Sequence, residues 1–534
     1  MNLAAYKIWG DAGSIRNARK RARRSGDPVT CIMPLLQASR NSHKPDPWRL
    51  RLAEILRDEV IQHSASGPFR STVLRVPLES ARTAETFRRP TGEIQTTFAP
   101  SFVQHENAGP QPGDHNLPES AIFKASRIAN SDNDGWLNDH AVVVDTGGRV
   151  EAVIPSSTLG DTSGKKTYDL GDVSLLPGLV EAHSHVHVSP DLDGFANITT
   201  ETDDRMVMRA VGAVRKALLS GVTTMRDIGS RNEVIFPVRD AIESGVIPGP
   251  RLQLAGTPIT TTAGHCWMFG TEADTLEDVV RVVRQQVKLG ANVIKIMASG
   301  GNFTPTSNPR MTQYPAETLR AAVVEAERLG IYVVAHSHAT EGIRNCIDAG
   351  IHQIIHCRWL SSDPAVAMDY DPEGAVRLAD DGTWVDPTIG LSVLGTEARA
   401  AGAPQRQLHW GVSAARPSPE QTIEVLKDMR DKGVRYTTGL DMGMAYADYD
   451  KSAYNAISFV ELLGYTPWEA IAASTSVTAE ALRVNGTVGS LRSGMIADMM
   501  SVAGDPSEDI RALAISTDVV KGGVPVKLGG RALV

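Results

Sequence analysis

The spacing of apolar positions divides this chain into three textures. Up to about residue 118, only the stretch "WRLRLAEILRDEVI", Trp48 to Ile61, carries helical spacing, with Leu50, Leu52, Ile55, Leu56 and Val60 on its apolar face. Around it lie a basic run, "SIRNARKRARRSGD", and pieces rich in Pro, Gly and Ser, which bury too little to hold a fold. Residues 1–118 are therefore expected to be a poorly ordered or loosely packed extension. An export signal or a nucleic-acid-binding arm are the alternatives for it. From Ala121 the pattern becomes short β-branched runs broken by glycine, "AIFKASRIA" and "HAVVVDTGGRVEAVIP". It returns near the end as "GTVGSLRSGMIADMMSVAG" and "DVVKGGVPVKLGG".

Between those flanks, apolar strands alternate with helical stretches, the pattern of βα units on a parallel sheet. Eight strand candidates can be placed, at 176–184, 221–227, 251–256, 293–299, 332–337, 353–357, 384–389 and 436–441. One helix is unambiguous: in "PAETLRAAVVEAERLG", Leu319, Ala322, Val323, Ala326 and Leu329 share a face and Gly330 is placed to end it. Eight strands are the number that closes a (β/α)8 TIM barrel. The expected architecture is α/β: a barrel over 175–483, and a small β-sandwich domain built from 119–174 and 484–534 on both sides of it.

Composition narrows the partners. The 534 residues carry a formal net charge of −8, so nothing favours nucleic acid or an anionic membrane, and a small-molecule substrate is the default. No run of 18 or more uninterrupted apolar residues exists to span a bilayer. Cys31, Cys266, Cys346 and Cys357 are few and irregularly spaced, which argues against a disulfide scaffold and for the cytoplasm.

The chemistry collects where a barrel would display it. "LLPGLVEAHSHVHV" crowds three histidines into five residues at the end of the first strand candidate. Residues i and i+2 of a strand face the same way, so His183 and His185 can share one metal ion while Ser184 points aside. His187 is read as a supporting or loop residue. His336 ends the fifth candidate, His356 the sixth and Asp441 the eighth, and Lys295 lies inside the fourth, flanked by Ile294 and Ile296. A buried lysine tends to lose its proton, and a neutral amine can take up CO2 as a carbamate able to bridge two cations. Each residue alone has a plainer reading: a hydrogen-bonded core histidine, a lysine reaching for solvent, an aspartate that only ligates. Imidazole donors suit Zn, Co, Ni or Fe rather than Ca or Mg.

At these positions the sequence resembles the metal-dependent amidohydrolase superfamily, in its prolidase-like and imidazolonepropionase-related branch. The motifs are "LPGLVEAHSH", "GVTTMRDIG", "TTTAGHCWMFG", "IKIMASGG", "VVAHSH", "IIHC", "GLD" and the closing "GTVGSLRSGMIADMMSVAGDP", covering about residues 120–534. The resemblance implies two divalent transition-metal ions, most simply Zn, with Co, Mn or Fe as alternatives. One would sit on His183, His185, a carboxylated Lys295 and Asp441, the other on Lys295, His336 and His356. It further implies attack by a hydroxide bridging the ions, Asp441 as the proton shuttle, and His338 polarising the scissile carbonyl. By analogy it implies a homo-oligomer. Departures from the usual motifs are Glu181 for an aspartate, Ala263 for a second glycine and "GLD" for Gly-Thr/Ser-Asp.

The apolar "HCWMF" loop is expected to form a substrate wall, with His265, Trp267 and Phe269 as contacts and Met268 near the mouth. The function expected is hydrolysis of a C–N bond in an amide, N-acyl amino acid, urea or carbamate bearing a hydrophobic or aromatic group. The alternative is a prolidase-type dipeptidase, whose substrate carboxylate would need a cation such as Arg226, Arg310 or Arg358. An aminohydrolase fits less well, because Lys295 is present and no glutamate directly follows His336. A non-catalytic homologue would be expected to lose ligands that this chain keeps.

Overall fold

A computed structural model describes residues 119–404 and 414–534. The predicted extension, with its helix at 48–61 and Cys31, lies outside the described residues. Two kinds of sheet are present. In the first, β1 (Ala121–Ala129), β2 (Trp136–Val144), β3 (Val150–Pro155), β4 (Lys166–Asp169) and β5 (Val173–Pro177) come from before the parallel strands. In the second, β6 (Leu179–Ser184), β7 (Val222–Asp227) and β8 (Arg251–Leu254) form a parallel sheet of their own. A further parallel sheet orders β10 (Thr271–Glu272), β9 (Ile259–Thr260), β11 (Val293–Met297), β12 (Tyr332–Ala339), β13 (Gln353–Leu360) and β14 (Trp384–Asp386). The chain then returns to the first sheet as β15 (Met499–Ala503), β16 (Ser516–Lys521), β17 (Val524–Leu528) and β18 (Arg531–Ala532).

The join between the two flanks is an antiparallel ladder of β5 with β15, in which Leu175 faces Ser501. It yields one nine-stranded sheet, running β18-β17-β16-β15-β5-β1-β2-β3 with β4 beside β1. Phe123, Val142, Leu175, Leu491, Met499 and Val520 pack together under it. Residues separated by more than 300 positions thus build one apolar layer, as the alternating runs at both ends require.

The predicted strand 176–184 is divided in two. Proline at 177 has no N–H to continue a ladder, and Gly178 passes so close to Thr223 that a Cβ there would lie 2.2 Å from its Oγ1. The first half pairs with β15, and the second pairs with β7 in parallel. The candidate at 384–389 stops at Asp386: Pro387 follows, Thr388 takes a left-handed φ of 47°, and a helix runs from Ile389 to Ala400. The segment 436–441 forms no ladder of its own. It is instead held on both sides, by Thr437 N–H to the Val385 carbonyl at 3.0 Å and by Ala182 N–H to the Thr438 carbonyl at 3.0 Å. Further on, His185 N–H donates to the Met442 carbonyl at 2.8 Å and Met442 N–H to the His183 carbonyl at 3.1 Å. Between β8 and β11, Asn292 N–H reaches the Leu254 carbonyl at 2.8 Å.

The helices carry the capping chemistry that their sequences offer. Thr275 caps Leu276–Lys288 by accepting from Asp278 N–H, and Ser418 with Gln421 forms a reciprocal cap on Pro419–Asp431. The predicted helix is Ala316–Arg328, burying Leu319, Ala322, Val323 and Ala326, and Gly330 follows it with φ 80°. These helices lay their apolar faces on the parallel strands, so the carboxyl ends of β6, β11, β12 and β13 are left to carry polar side chains.

Candidate metal centre

Two three-residue groups of metal-capable side chains converge among the described residues: His183, His185 and Asp441, and His336, His338 and His356. All six are buried. In the first group, Asp441 Oδ1 lies 3.1 Å from His183 Nε2 and 3.4 Å from His185 Nε2. The other nitrogen of each ring is committed. His183 Nδ1 donates to Asp386 Oδ2 at 2.9 Å, and His185 Nδ1 donates to the Gly229 carbonyl at 2.8 Å. In the neutral ring each Nε2 presents a lone pair toward a carboxylate oxygen, an arrangement that a proton or a metal ion among the three atoms would satisfy. That is the donor set of a transition-metal site.

The second group is a stack of rings. His338 and His356 lie parallel with centroids 4.5 Å apart, and His336 meets both nearly edge-on at 4.7 Å. His356 Nδ1 is 2.9 Å from Thr388 Oγ1, and His336 Nε2 donates to the Gly300 carbonyl at 3.0 Å. His338 is fixed through its backbone, whose N–H donates to Ser299 Oγ at 2.8 Å. Nδ1 of His338 and Nδ1 of His265 are buried with no hydrogen-bond partner among the described residues. Three residues of the site, His356, Thr388 and Asp441, hold left-handed φ angles of 70°, 47° and 62°. For residues other than glycine these are costly conformations, of the kind that concentrate at functional sites.

Burial sets the charge states. It pushes the imidazolium forms of His336, His356 and His265 well down and that of His338 to about 3, so these rings are neutral, as ligands must be. Burial pulls His183 the same way, but Asp441 and Asp386 outweigh it and leave the ring raised. Asp441 itself is held ionised, well below the usual carboxylate range, because His183 and His185 overcome its burial. Lys295 is 2% exposed, and burial brings its amine down to about 8. It lies near enough to both groups to shift His183 and His336 alike.

All of these side chains line one cavity of about 1250 Å³. Its apolar wall includes Phe269, Met297, Phe303, Leu391 and Met444. The amidohydrolase family model matches residues 174–526, most of the chain. The chain belongs to the amidohydrolase family. It is similar to ochratoxinase of Aspergillus niger, 28% identical over 404 residues, covering 70% of this chain and 79% of that protein. It is also similar to imidazolonepropionase of Micrococcus luteus, 24% identical over 409 residues, 72% of this chain and 92% of the relative. Among solved structures, a Xaa-Pro dipeptidase with bound methionine in its active site superposes with a TM-score of 0.67 at 26% identity. That match covers 76% of this chain and all of the other. This amidohydrolase is accordingly a hydrolase acting on C–N bonds.

In this amidohydrolase the metal-capable and substrate-contact residues singled out from sequence line one cavity with a single exception, Trp267. Trp267 is 41% exposed and does not line the cavity, whereas Phe269, two residues on, is buried against His185 and His187. Ala263 and Cys266 both take left-handed φ angles, so this loop turns twice and its side-chain directions do not follow a regular period. His187 lies beneath the site with its Nε2 3.3 Å from Arg231 N. His265 stacks on His336 at 4.4 Å and stands at the cavity wall. Of the candidate arginines, Arg226 is consumed below the site by the Ala182 carbonyl, Tyr332 and Gln353. Arg310 is consumed by the carbonyls of Ser361, Asp363, Val366 and Ala415.

Sequence reasoning missed Asp386 and underrated Glu181. Glu181 does face away from the histidines, but it ties the site together by accepting from His183 N–H, Leu440 N–H, Ser452 Oγ and Asn455 Nδ2. Asp386 falls in the interior of the strand candidate 384–389, and only the early end of the strand, at Trp384–Asp386, places its carboxylate at a strand's carboxyl end.

Proposed function

We propose that this amidohydrolase is a metal-dependent enzyme that cleaves an amide-type C–N bond in a small molecule with a hydrophobic or aromatic group. The observation that carries the reading is a pair of buried donor groups that line, together with a buried lysine, one apolar-walled cavity. The donor set fits the metals that the family implies. His183, His185 and Asp441 would hold one divalent transition ion, most simply Zn, and His336 and His356 a second, with Lys295 as its carbamate shared between them. A neutral Lys295 amine would form that carbamate by adding to CO2 and releasing a proton. Such ions, when bound, lower the pKa of water toward neutrality and polarise a carbonyl.

The protein's own groups supply the rest. Asp441, ionised and at the cavity floor, takes the proton of the attacking water and returns it to the leaving nitrogen. His338, neutral and with a free ring nitrogen, is placed to hydrogen-bond the carbonyl oxygen as negative charge develops there. Phe269 and the neighbouring apolar residues exclude water and seat the apolar part of the substrate, with His265 beside them. We further read β6, β7, β8, β9, β11, β12, β13, β14 and 436–441 as a closed barrel over 175–483. The nine-stranded sheet would be its small β domain from 119–174 and 484–534. No disulfide joins the three described cysteines, Cys266, Cys346 and Cys357, which favours a reducing, cytoplasmic setting. No described helix is long and apolar enough to cross a membrane.

The alternative, a dipeptidase of prolidase type, draws on the Xaa-Pro dipeptidase likeness. A hydrolysis panel of the metal-loaded protein against N-acyl amino acids, anilides, phenylureas and Xaa-Pro dipeptides separates the two. Turnover of N-acyl or aryl amides is expected, and cleavage confined to dipeptides would replace the reading by its alternative.

A further inference from the structure

The cavity wall carries an arginine, Arg358, that has no ion-pair partner among the described residues. Strand β13 pairs with β12 in register until Ser337 faces His356. It then slips, so that Ala339 faces Leu360. Across the slip, Cys357 and Trp359 hold left-handed φ angles of 49° and 52°, and Trp359 is fully buried with its indole N–H against Met429 Sδ. The residue between them, Arg358, is turned to the cavity lining instead of the core. Such a bulge re-aims a single side chain.

Among the described residues Arg358 has no hydrogen bond and no ion pair, and it is half-buried in the cavity wall. The other cavity arginines whose partners are defined are engaged: Arg310 by four carbonyls, and Arg511 by Glu461 and Glu397. The carboxylate whose charge acts on Arg358 is Asp386, which His183 Nδ1 and the Thr388 N–H already occupy at 2.9 and 3.0 Å. Arg358 lines the same cavity as His338, the ring that we assign to the scissile carbonyl. A guanidinium drawn out of water without a counter-ion is unfavourable, and its planar fork matches a carboxylate.

We propose that Arg358 is a specificity-determining residue that binds a free carboxylate of the substrate, so that the substrate is an N-acyl amino acid with a bulky apolar acyl group. The proposal rests on the C–N hydrolase reading of the same site and adds the anionic end of the substrate to it. The acyl group would occupy the apolar wall of Phe269, Phe303 and Met444, and the cavity is larger than a dipeptide requires. The carboxylate of the departing amino acid would lie against Arg358, within reach of the carbonyl that His338 contacts. This gives the chain a reason to keep an arginine in a strained turn where a neutral residue would have no desolvation cost.

The test is equilibrium binding to the full-length, metal-loaded protein, measured by calorimetry with two probes, N-naphthoyl-L-phenylalanine and its carboxamide. The wild type is expected to bind the carboxylate more tightly by about ten- to a hundredfold, the effect of one charge-assisted pair. In Arg358→Gln the ratio of the two affinities should collapse toward one, and in Arg358→Lys it should fall in between. A ratio that survives Arg358→Gln would show that the ions or another residue hold the carboxylate, and would overturn the proposal. So would equal binding of the two probes by the wild type. Cleavage is followed separately on the same samples. Binding that discriminates through Arg358 without any cleavage would count against the hydrolase reading, and cleavage without discrimination would count against the role of Arg358.

Discussion

Asp386 accepts a hydrogen bond from Nδ1 of His183 at 2.9 Å, and this bond decides which nitrogen of the imidazole is left to face Asp441. A carboxylate behind a ligating histidine fixes its tautomer and its orientation. Asp386→Asn offers an amide that can donate as well as accept, which frees the ring to flip. Metal affinity is expected to fall about ten- to a hundredfold, read by competition with a chelator. An unchanged affinity would show that Asp386 does not orient the ring.

The same aspartate is crowded from behind. A Cβ on Gly439 would lie 2.2 Å from Asp386 Oδ2 and 2.6 Å from its Cγ. Gly439→Ala should therefore displace the carboxylate and lower both the Tm and the metal affinity. Gly160→Ala, where nothing lies within 4 Å, should leave the affinity unchanged. If Gly439→Ala binds metal as the wild type does, the contact is not one that matters.

Asp441 carries two roles that can be separated. Asp441→Asn keeps one oxygen toward His183 and His185 but cannot take a proton. Turnover should fall by about a hundred- to ten-thousandfold, the usual weight of a general base, while at least one ion per chain is retained. Wild-type turnover in that variant would remove Asp441 from proton transfer.

Lys295→Ala should lose at least one ion, and short-chain carboxylates such as acetate or propionate should restore part of the metal content and activity. They would occupy the space of the proposed carbamate, in the cavity that Lys295 lines. Failure of every carboxylate to restore metal would argue that Lys295 supports the site only as an amine.

Stability at acid pH has one readable contributor away from the site. The Arg328 guanidinium, with that of Arg284, holds Glu325 down to about 2 from the ordinary 4.5. A carboxylate lowered in the folded state stabilises it above the unfolded pKa and loses that effect as the pH falls through the folded one. Both arginines are 59% exposed, so the effect is at most about 1 kcal/mol. Glu325→Gln should melt below the wild type near neutrality, with the gap closing as the pH drops from 4.5 toward 2. A gap of constant size across that range would contradict the assignment.

The site was legible from sequence wherever strand geometry alone fixes direction. His183 and His185 sit two apart on one strand, and their shared facing follows from the pleat. Lys295 announced itself by the cost of placing an amine between two isoleucines. Asp386 was hidden because its partner, His183, lies 203 positions away and no local period links them. Trp267 was misplaced because the loop turns through Ala263 and Cys266, where side-chain direction depends on φ angles that the residue types do not dictate. Likewise the break at Pro177 and Gly178 depends on the approach of Thr223, a tertiary contact. The cavity-facing position of Arg358 follows from a slipped register between β12 and β13, which periodicity in either strand alone does not reveal.

The central claim is that His183, His185, Asp441, Lys295, His336 and His356 hold transition-metal ions on which turnover depends. Plasma mass spectrometry of the purified protein, paired with activity before and after chelation, tests it most directly. Stoichiometric Zn, Co, Mn or Fe is expected, with activity lost in step with the metal and recovered on its return. Full activity in protein freed of transition ions would contradict it.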